Sequence, residues 1–344
     1  MRHIAANFLT LLVLGMIGLY AAVEWGRSEY RSDGPLAEPL VFTVERGARL
    51  TSVADRLQDD GAITNSTIFG LGARYSELAD DLKFGEYEIP AGASMEEIMA
   101  LLASGRGIDY KVTIPEGFST FQVIARLNAV EDLEGEVTIS PAEGAIAPDT
   151  YSYQRGDSRD SVLQKMMDRQ VEILAEEWDL RQADLPYETP EEALIMASII
   201  EKETGVGSER DVVAAVFVNR LRQGMKLQTD PTVIYGLTLG RESLGRGLRR
   251  SELARRTPYN TYIIPALPPT PIANPGRAAI NAAMNPAESS YLFFVADGTG
   301  GHAFAETLVE HNANVRKWRQ IEAERRAAAE AAEAEAAAAE DNAN

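Results

Sequence analysis

The chain has 344 residues and carries 33 Lys and Arg against 52 Asp and Glu, a formal net charge of −19. This acidity argues against nucleic acid as a partner, because neutralising phosphates requires clustered Lys and Arg. The chain has no cysteine and three histidines, so disulfides, thiolate metal sites and cysteine nucleophiles are excluded, and neither a metal nor an organic cofactor is predicted.

The chain begins with a long apolar segment, residues 4–23, that contains no charged side chain. Twenty helical residues span about 30 Å, the thickness of the hydrocarbon core of a bilayer, so we predict a transmembrane helix. A cleaved signal peptide is the alternative, but its apolar region is usually shorter, about 7–15 residues. The flanking charges do not decide the orientation. As a working hypothesis, residues 1–3 are cytoplasmic and residues 24–39 form a polar tether.

One short pattern occurs three times in the first third of the chain. Each copy has apolar residues five and three positions before a glycine (Gly47, Gly92 or Gly117), and again six and ten positions after it. The alternation before the glycine predicts a half-buried strand, the glycine a turn, and the later pair one face of a helix. The apolar members are Phe42, Val44, Val53 and Leu57; Tyr87, Ile89, Ile98 and Leu102; and Val112, Ile114, Val123 and Leu127.

A further helix is predicted at residues 66–75, between the first two copies, so residues 40–90 should run strand, helix, helix, strand. This order resembles the LysM module, a small fold that recognises N-acetylglucosamine polymers, and residues 40–107 are interpreted as LysM-like. A structural spacer without sugar contacts is the alternative, because no row of exposed aromatic residues stands out in this region.

The second half of the chain contains a helix with well-marked start signals. Thr189 suits the N-cap, Pro190 the first turn and Glu192 the capping-box partner. The body, residues 193–200, is apolar on all sides and should be buried, and Glu201 follows it. A carboxyl at the edge of an apolar pocket has a raised pKa and can act as a general acid near neutral pH. The alternative is that Glu201 is simply a solvated charge at the end of the helix. Taken without the rest of the sequence, this segment favours that alternative.

Polar residues between apolar ones further along the chain indicate buried hydrogen bonding, and polar-aromatic loops suit sugar recognition. Ordinary turn chemistry is the alternative for these loops, and a lone histidine beside a strand is more often structural than catalytic. The supporting candidates are Glu203, Gln228, Thr229, Asp230, Tyr235, Tyr259, Asn260 and His302.

Several long strings of residues carry a family resemblance. They include Ala-Ser-Ile-Ile-Glu-Lys-Glu-Thr at 197–204 and Leu-Gln-Thr-Asp-Pro-Thr-Val-Ile-Tyr at 227–235. The others are residues 209–210, 216–221, 259–262, 267–276, 291–298 and 301–304. In these strings, and in the order of its parts to about residue 320, the sequence resembles the MltG (YceG-like) family of endolytic murein transglycosylases.

The resemblance implies an α+β protein with an N-terminal transmembrane helix, a small LysM-like βααβ module and a larger mixed α/β catalytic domain over residues 108–320. It implies that Glu201 is the single catalytic carboxyl, which replaces the helix-end interpretation. The implied substrate is the β-1,4 bond between N-acetylmuramic acid and N-acetylglucosamine within nascent peptidoglycan, cleaved to leave 1,6-anhydro ends. Residues 321–344 form an Ala/Glu-rich tail outside the resemblance, and we assign it no function.

The resemblance also implies that the catalytic domain is periplasmic and anchored in the inner membrane by residues 4–23. It suggests proximity to glycan-polymerising penicillin-binding proteins. Two alternatives stay open. If Glu203 or Asp230 positioned a water opposite Glu201, the enzyme would be a two-carboxylate muramidase, a hydrolase. Without turnover, the chain would be a membrane-tethered glycan-binding scaffold.

Overall fold

The computed structural model describes residues 2–341 of the chain and the side chains of residues 7–332. Residue 1, at the end assigned to the cytoplasm, and residues 342–344 of the Ala/Glu-rich tail lie outside the described residues. The described chain has mixed α+β structure, as the sequence predicts, and it separates into two compact units. The first unit contains the chain up to Lys111 together with residues 131–135 and 152–158, and the second contains the rest.

The first helix, α1 (Arg2–Arg31), is continuous. Its segment Asn7–Arg31 is long and apolar enough to cross a membrane, and an 18-residue window within it has a mean hydropathy of 1.8. The helix extends beyond residue 23, where the uncharged segment ends. The segment predicted as a tether, residues 24–39, therefore begins as helix.

The rest of the first unit has the predicted order of elements. Strands β1 and β2 pair antiparallel, with Phe42 opposite Tyr87, and the helix predicted at residues 66–75 forms with those bounds. The elements are β1 (Leu40–Val44), α2 (Leu50–Asp59), α3 (Ser66–Tyr75), β2 (Gly85–Ile89) and α4 (Met95–Ser104). The strand–helix–helix–strand order of residues 40–90 is thus confirmed.

The threefold sequence pattern corresponds to buried positions. All twelve of its apolar members are at most 4% exposed. The three pattern glycines, Gly47, Gly92 and Gly117, have φ values of 75°, 71° and 73°. Because side chains disfavour this left-handed region, the glycines are needed at these turns. The periodicity therefore identified both the core positions and the turns correctly.

Two short strands, β3 (Tyr110–Thr113) and β4 (Thr150–Tyr153), pair with each other, and helix α5 (Thr120–Asn128) lies between them in sequence. The division between the two units falls within both strands. Ser119 caps α5 in a complete capping box with Gln122, and Ser94 does the same for α4 with Glu97. These caps satisfy backbone N–H groups that helix starts leave unpaired.

The second unit is mainly helical, and its central element is α7 (Pro190–Glu203). Besides α5 it contains α6 (Arg159–Asp179), α8 (Arg210–Arg222), α9 (Asp230–Thr238), α10 (Arg250–Leu253), α11 (Arg277–Met284), β5 (Phe293–Ala296), β6 (His302–Ala305) and α12 (Leu308–Asp341). Strands β5 and β6 pair antiparallel, with Phe294 opposite Phe304.

Helix α7 begins at the predicted cap and is buried as predicted. The Thr189 hydroxyl accepts the backbone N–H of Glu192 at 3.2 Å. The Glu192 carboxylate accepts the N–H of Glu188 instead of that of Thr189, so the predicted reciprocal capping box is only half formed. Every residue from Ala193 to Ile200 is buried. This burial fixes the direction in which the last turn of α7 presents its side chains.

A loop that precedes α11 is attached to the middle of α7. The buried Ser198 hydroxyl accepts the backbone N–H of Ile272 at 3.0 Å and donates to the Ile195 carbonyl at 2.7 Å. Helix α11, which follows the loop, packs along α7. Residues 272–276 are consequently held beside the carboxyl end of α7.

Candidate active site

Glu201 lies in the last turn of α7, with its side chain partly buried. The backbone N–H of Gly276 donates to Glu201 Oε2 at 2.9 Å. Within the described residues this is the one hydrogen bond to the carboxyl, and Oε1 accepts none. The α7 helix and the 272–276 loop together fix the orientation of the carboxyl.

Burial raises the pKa of the Glu201 carboxyl, because removal from water disfavours its charged form. The nearby Glu116 charge raises it further, while the Gly276 N–H and the cations Arg210 and Lys202 act in the opposite direction. The net effect is a raised pKa. Such a carboxyl can enter a reaction protonated and leave it as a base.

Glu116, on the loop between β3 and α5, lies against Gly276 of the 272–276 loop, and no sequence pattern had marked it as a site residue. A Cβ added to Gly276 would come within 1.9 Å of Glu116 Oε1. Arg210 Nη2 lies 4.0 Å from Glu116 Oε2. The absence of a side chain at Gly276 therefore allows a second carboxyl to lie near Glu201.

Asn274 connects three segments of the site and is fully buried. Its side-chain amide donates to the Phe118 carbonyl at 3.0 Å and to Glu143 Oε1 at 3.3 Å, and its Oδ1 accepts the N–H of Ile146 at 3.0 Å. Its own carbonyl accepts the N–H of Gly117 at 3.0 Å. Asn274 thus positions the loops that carry Glu116 and Glu143.

Tyr235 and Tyr259, both predicted site residues, lie together beside Glu143. Their ring centroids are 5.0 Å apart in an edge-to-face arrangement. The Tyr235 hydroxyl donates to Glu143 Oε2 at 3.1 Å, and the Tyr259 hydroxyl lies 2.9 Å from Thr270 Oγ1. Burial raises the pKa of Glu143, although the N–H of Thr120 donates to it at 2.8 Å and opposes the rise. The two tyrosines thus form an aromatic surface whose hydroxyl groups are held by hydrogen bonds.

Glu203, Thr229 and Asp230 form a second polar group. The buried Thr229 hydroxyl donates to Glu203 Oε1, and the Tyr262 hydroxyl donates to Asp230 at 2.6 Å. Burial raises the pKa of Glu203, the Asp230 charge adds to the rise, and the charges of His302 and Arg220 oppose it. No hydrogen bond within the described residues joins Glu203 or Asp230 to Glu201.

Removal of the Thr229 hydroxyl should destabilise the protein through Glu203. In Thr229→Val the Glu203 carboxylate loses its hydroxyl donor, and we expect the free energy of unfolding to fall by about 1–3 kcal/mol. The loss should be larger above the raised pKa of Glu203 than below it, because the hydroxyl stabilises the charged form of the carboxyl. Urea titration of the full chain measures the difference. Thr229→Ser is the control, and equal stability of the Val and Ser variants would contradict the prediction.

Gln228 and Asn260 lie outside these pairs. The Gln228 side chain is exposed, and its backbone has a φ of 52° in the left-handed region, which costs about 1–2 kcal/mol for a residue with a side chain. Asn260 is 0% exposed. Its amide donates to carbonyls of Leu253 and Arg255, and its Oδ1 accepts the N–H of Tyr262. Asn260 therefore holds its own loop together.

His302 begins strand β6 and pairs with Glu209. Its Nδ1 lies 2.7 Å from Glu209 Oε2, and its backbone N–H donates to Glu209 Oε1 at 3.0 Å. The ring also meets Phe294 edge to face at 5.2 Å. In the part of the chain that the structure describes, no group of three or more His, Asp or Glu residues is arranged to hold a metal ion.

A model of the YceG-like family matches residues 42–317 of the chain. The endolytic murein transglycosylase of Bacillus subtilis (strain 168) is 28% identical over 302 residues, covering 79% of this chain and 82% of that protein. The endolytic murein transglycosylase of Streptococcus pneumoniae serotype 2 is 26% identical over 360 residues, covering 90% of this chain and 64% of that protein.

The chain is also similar to solved structures. One of them is the 2.6 Å crystal structure of a yceG-like protein from Listeria monocytogenes, with 29% sequence identity and a TM-score of 0.49. The match covers 80% of this chain and 99% of that one. The segment matched by the family model contains Glu201, Gly276, Glu116 and all the supporting candidates.

Proposed function

Because the chain belongs to the YceG-like family, we propose that it is an endolytic murein transglycosylase, a lyase that cuts within peptidoglycan glycan strands. The observation that carries the proposal is the Glu201 carboxyl, partly buried at the end of α7 and held by the Gly276 N–H at 2.9 Å. The curated relatives with this name support the assignment of the reaction class.

In the first step, protonated Glu201 donates from Oε1 to the oxygen of the β-1,4 bond between N-acetylmuramic acid and N-acetylglucosamine. The C1–O bond breaks as the muramyl ring becomes oxocarbenium-like, and the acetylglucosamine strand leaves as an alcohol. The raised pKa of Glu201 supports this role, because the carboxyl must be protonated near neutral pH.

In the second step, the Glu201 carboxylate accepts the proton of the muramyl C6 hydroxyl. That hydroxyl oxygen bonds to C1 and closes a 1,6-anhydro ring, which returns Glu201 to its acid form. One carboxyl performs both transfers, because donating the proton leaves the required base. No water is consumed, so the balance of atoms differs from that of a hydrolase.

The neighbouring groups have proposed supporting roles. Tyr235 and Tyr259 offer aromatic faces against sugar rings, with Glu143 fixing the Tyr235 hydroxyl. We propose that a second set of polar residues orients the sugar: Glu203, Thr229, Asp230 and His302. Gln228 and Asn260 are proposed to maintain the conformation of the loops around the site. A non-catalytic scaffold would have no need for a partly buried carboxyl with a raised pKa at this position.

The rate should depend on the ionisation of Glu201. A general acid must be protonated in the free enzyme, so kcat/KM should fall as pH rises through the pKa of Glu201. In Glu116→Gln the negative charge that helps to raise this pKa is removed, so the fall should begin at lower pH. Profiles of strand cleavage against pH, measured for both proteins, test the shift. An unchanged or higher midpoint in the variant would contradict the prediction.

We propose that α1 anchors the enzyme in the inner membrane as a single-pass helix with its N-terminus in the cytoplasm and residues 108–320 in the periplasm. The apolar segment Asn7–Arg31 supports the anchor. Glycan-polymerising penicillin-binding proteins are the proposed neighbours, and a LysM-like module over residues 40–107 is the proposed glycan contact.

The endolytic character has its own experiment. The full chain in detergent is incubated with uncrosslinked glycan strands of one known length, and the fragment lengths are separated by chromatography. Internal cutting predicts fragments of many intermediate lengths at early times. Release of disaccharides alone, with the remaining strands shortened from one end, would reject endolytic cleavage.

A further inference from the structure

The last turns of α1 pack tightly onto helix α3. Tyr30 of α1 is 7% exposed. A Cβ added to Gly72 of α3 would come within 2.3 Å of the Tyr30 ring. The two helices therefore meet at a contact that a side chain on Gly72 would block.

Further contacts fix the end of α1 on the same unit. The Thr64 hydroxyl donates to Glu29 at 2.7 Å, and Arg31 Nε donates to Glu96 at 3.2 Å. Just after the helix, the N–H of Gly34 donates to a carbonyl of the loop before α4 at 3.0 Å. The apolar helix is thus held in a fixed direction relative to α3 and α4.

Beside this contact, α3 exposes large apolar side chains. Leu71 is 59% exposed and Tyr75 is 72% exposed. They line a groove of about 800 Å³ together with Ala22 and Val23 of α1. Arg27 donates to the Tyr75 hydroxyl, and its guanidinium lies 4.9 Å from the centre of the Tyr75 ring.

We propose that α3 lies in the interfacial layer of the membrane that α1 spans, with Leu71 and Tyr75 among the lipids and an acyl chain in the groove. This inference rests on the proposed anchoring by α1. A helix of 25 residues is about 37 Å long, and the hydrocarbon core is about 30 Å thick, so one end of Asn7–Arg31 lies at the interface.

The position of the charges selects the end of α1 that carries α3. The uncharged part of α1 ends at Val23, and Glu24 and Trp25 follow. Tryptophan and tyrosine favour the headgroup level of a bilayer. Because Leu71 and Tyr75 share the groove with Val23, they lie at this same level.

The nearby charges are largely neutralised within the protein. Arg27 pairs with Glu24 at 3.3 Å, and Arg31 pairs with Glu96 at 3.2 Å. The contact therefore depends on burial of apolar surface, at about 25 cal/mol per Å². It should form on zwitterionic bilayers as well as on anionic ones.

The absence of cysteine makes site-specific labelling direct. The full chain carrying Leu71→Cys is labelled with a nitroxide and reconstituted into phosphatidylcholine vesicles. Its collision rates with oxygen and with a water-soluble nickel chelate are then measured. Leu14→Cys in α1 reports insertion of the anchor. Val41→Cys, 56% exposed on β1, is the matched control for a surface residue of the same unit.

We expect the label at residue 71 to collide with the nickel chelate several-fold less often than the label at residue 41, and more often with oxygen. If the label at residue 71 has the same collision rates as the label at residue 41 while the label at residue 14 is protected from nickel, α1 is inserted in the membrane. The proposed contact of α3 with the membrane is then wrong. If residue 14 is itself accessible to nickel, the anchoring fails, and this inference fails with it. Circular dichroism spectra that match the parent chain establish that each variant is folded.

Discussion

Replacement of Glu201 by glutamine is expected to reduce glycan cleavage by about 10²–10⁴-fold, the usual contribution of a general acid–base group. The amide has nearly the same shape as the carboxylic acid, and its oxygen can still accept the Gly276 N–H, so the fold should be retained. What the variant loses is the transferable proton. Initial rates of release of soluble fragments from purified peptidoglycan measure the effect.

A matched control lies on the same helix. Glu191 is exposed in the first turn of α7, so Glu191→Gln changes the same functional group far along the helix from the site. Its cleavage rate should stay close to that of the parent chain. Near-normal turnover by Glu201→Gln, with an unchanged circular dichroism spectrum, would show that Glu201 is not the acid.

The second large loss in the rate of glycan cleavage is expected for Gly276→Ala. The backbone of Gly276 has φ −73° and ψ 164°, which alanine adopts without strain, so the change acts through contacts. The new Cβ would overlap Glu116 Oε1 at 1.9 Å and Cγ at 2.9 Å. Either the half-exposed Glu116 side chain swings away from the site or the loop moves, and in the second case the N–H bond to Glu201 moves with the loop. Displacement of a catalytic group by about 1 Å costs about 10²-fold in rate.

Gly205→Ala is the control for this variant, because a Cβ there meets no atom within 4 Å. The double variant Gly276→Ala, Glu116→Ala separates two causes. Recovery of cleavage in the double variant would identify the overlap with Glu116 as the cause. Parent-like turnover in Gly276→Ala alone would mean that the position of the loop does not control Glu201.

The local features of the fold followed from the sequence because they depend on neighbouring residues. Alternation and helical spacing identified the twelve buried positions of the repeat, and the Thr189-Pro190 start identified α7. The start of α9 at Asp230 was not predicted, although Pro231 suits the first turn of a helix. Helix α12 begins at Leu308 and continues to Asp341, so most of the Ala/Glu-rich tail is helical.

The long-range contacts of the site could not be predicted in this way. Glu116 and Gly276 are 160 positions apart in sequence, and nothing in either segment marks the other. The contact between Asn274 and Glu143 could not be predicted for the same reason, because their hydrogen bond joins loops that are distant in sequence. A buried asparagine with several partners differs from an exposed loop asparagine only in the folded chain.

Glu116 also makes the hydrolase alternative concrete. A muramidase would use a second carboxylate to activate water, at a separation from the acid that leaves room for it. Glu203 and Asp230 were the carboxylates considered for this role from the sequence, and their hydrogen bonds to Thr229 and Tyr262 engage them elsewhere. Glu116 lies against the glycine that binds Glu201 and is therefore the nearby carboxyl that a hydrolase could use. The transglycosylase and the hydrolase reactions differ in whether water enters the product.

The mass of the new chain ends formed in water enriched in oxygen-18 therefore tests most directly whether Glu201 catalyses a transglycosylase reaction. The full chain in detergent is incubated with peptidoglycan, with Glu201→Gln in parallel. A transglycosylase that uses Glu201 should form 1,6-anhydro-muramic acid ends that carry no heavy oxygen and are absent with the variant. Reducing muramic acid ends, heavier by one water and labelled with oxygen-18, would contradict this reaction.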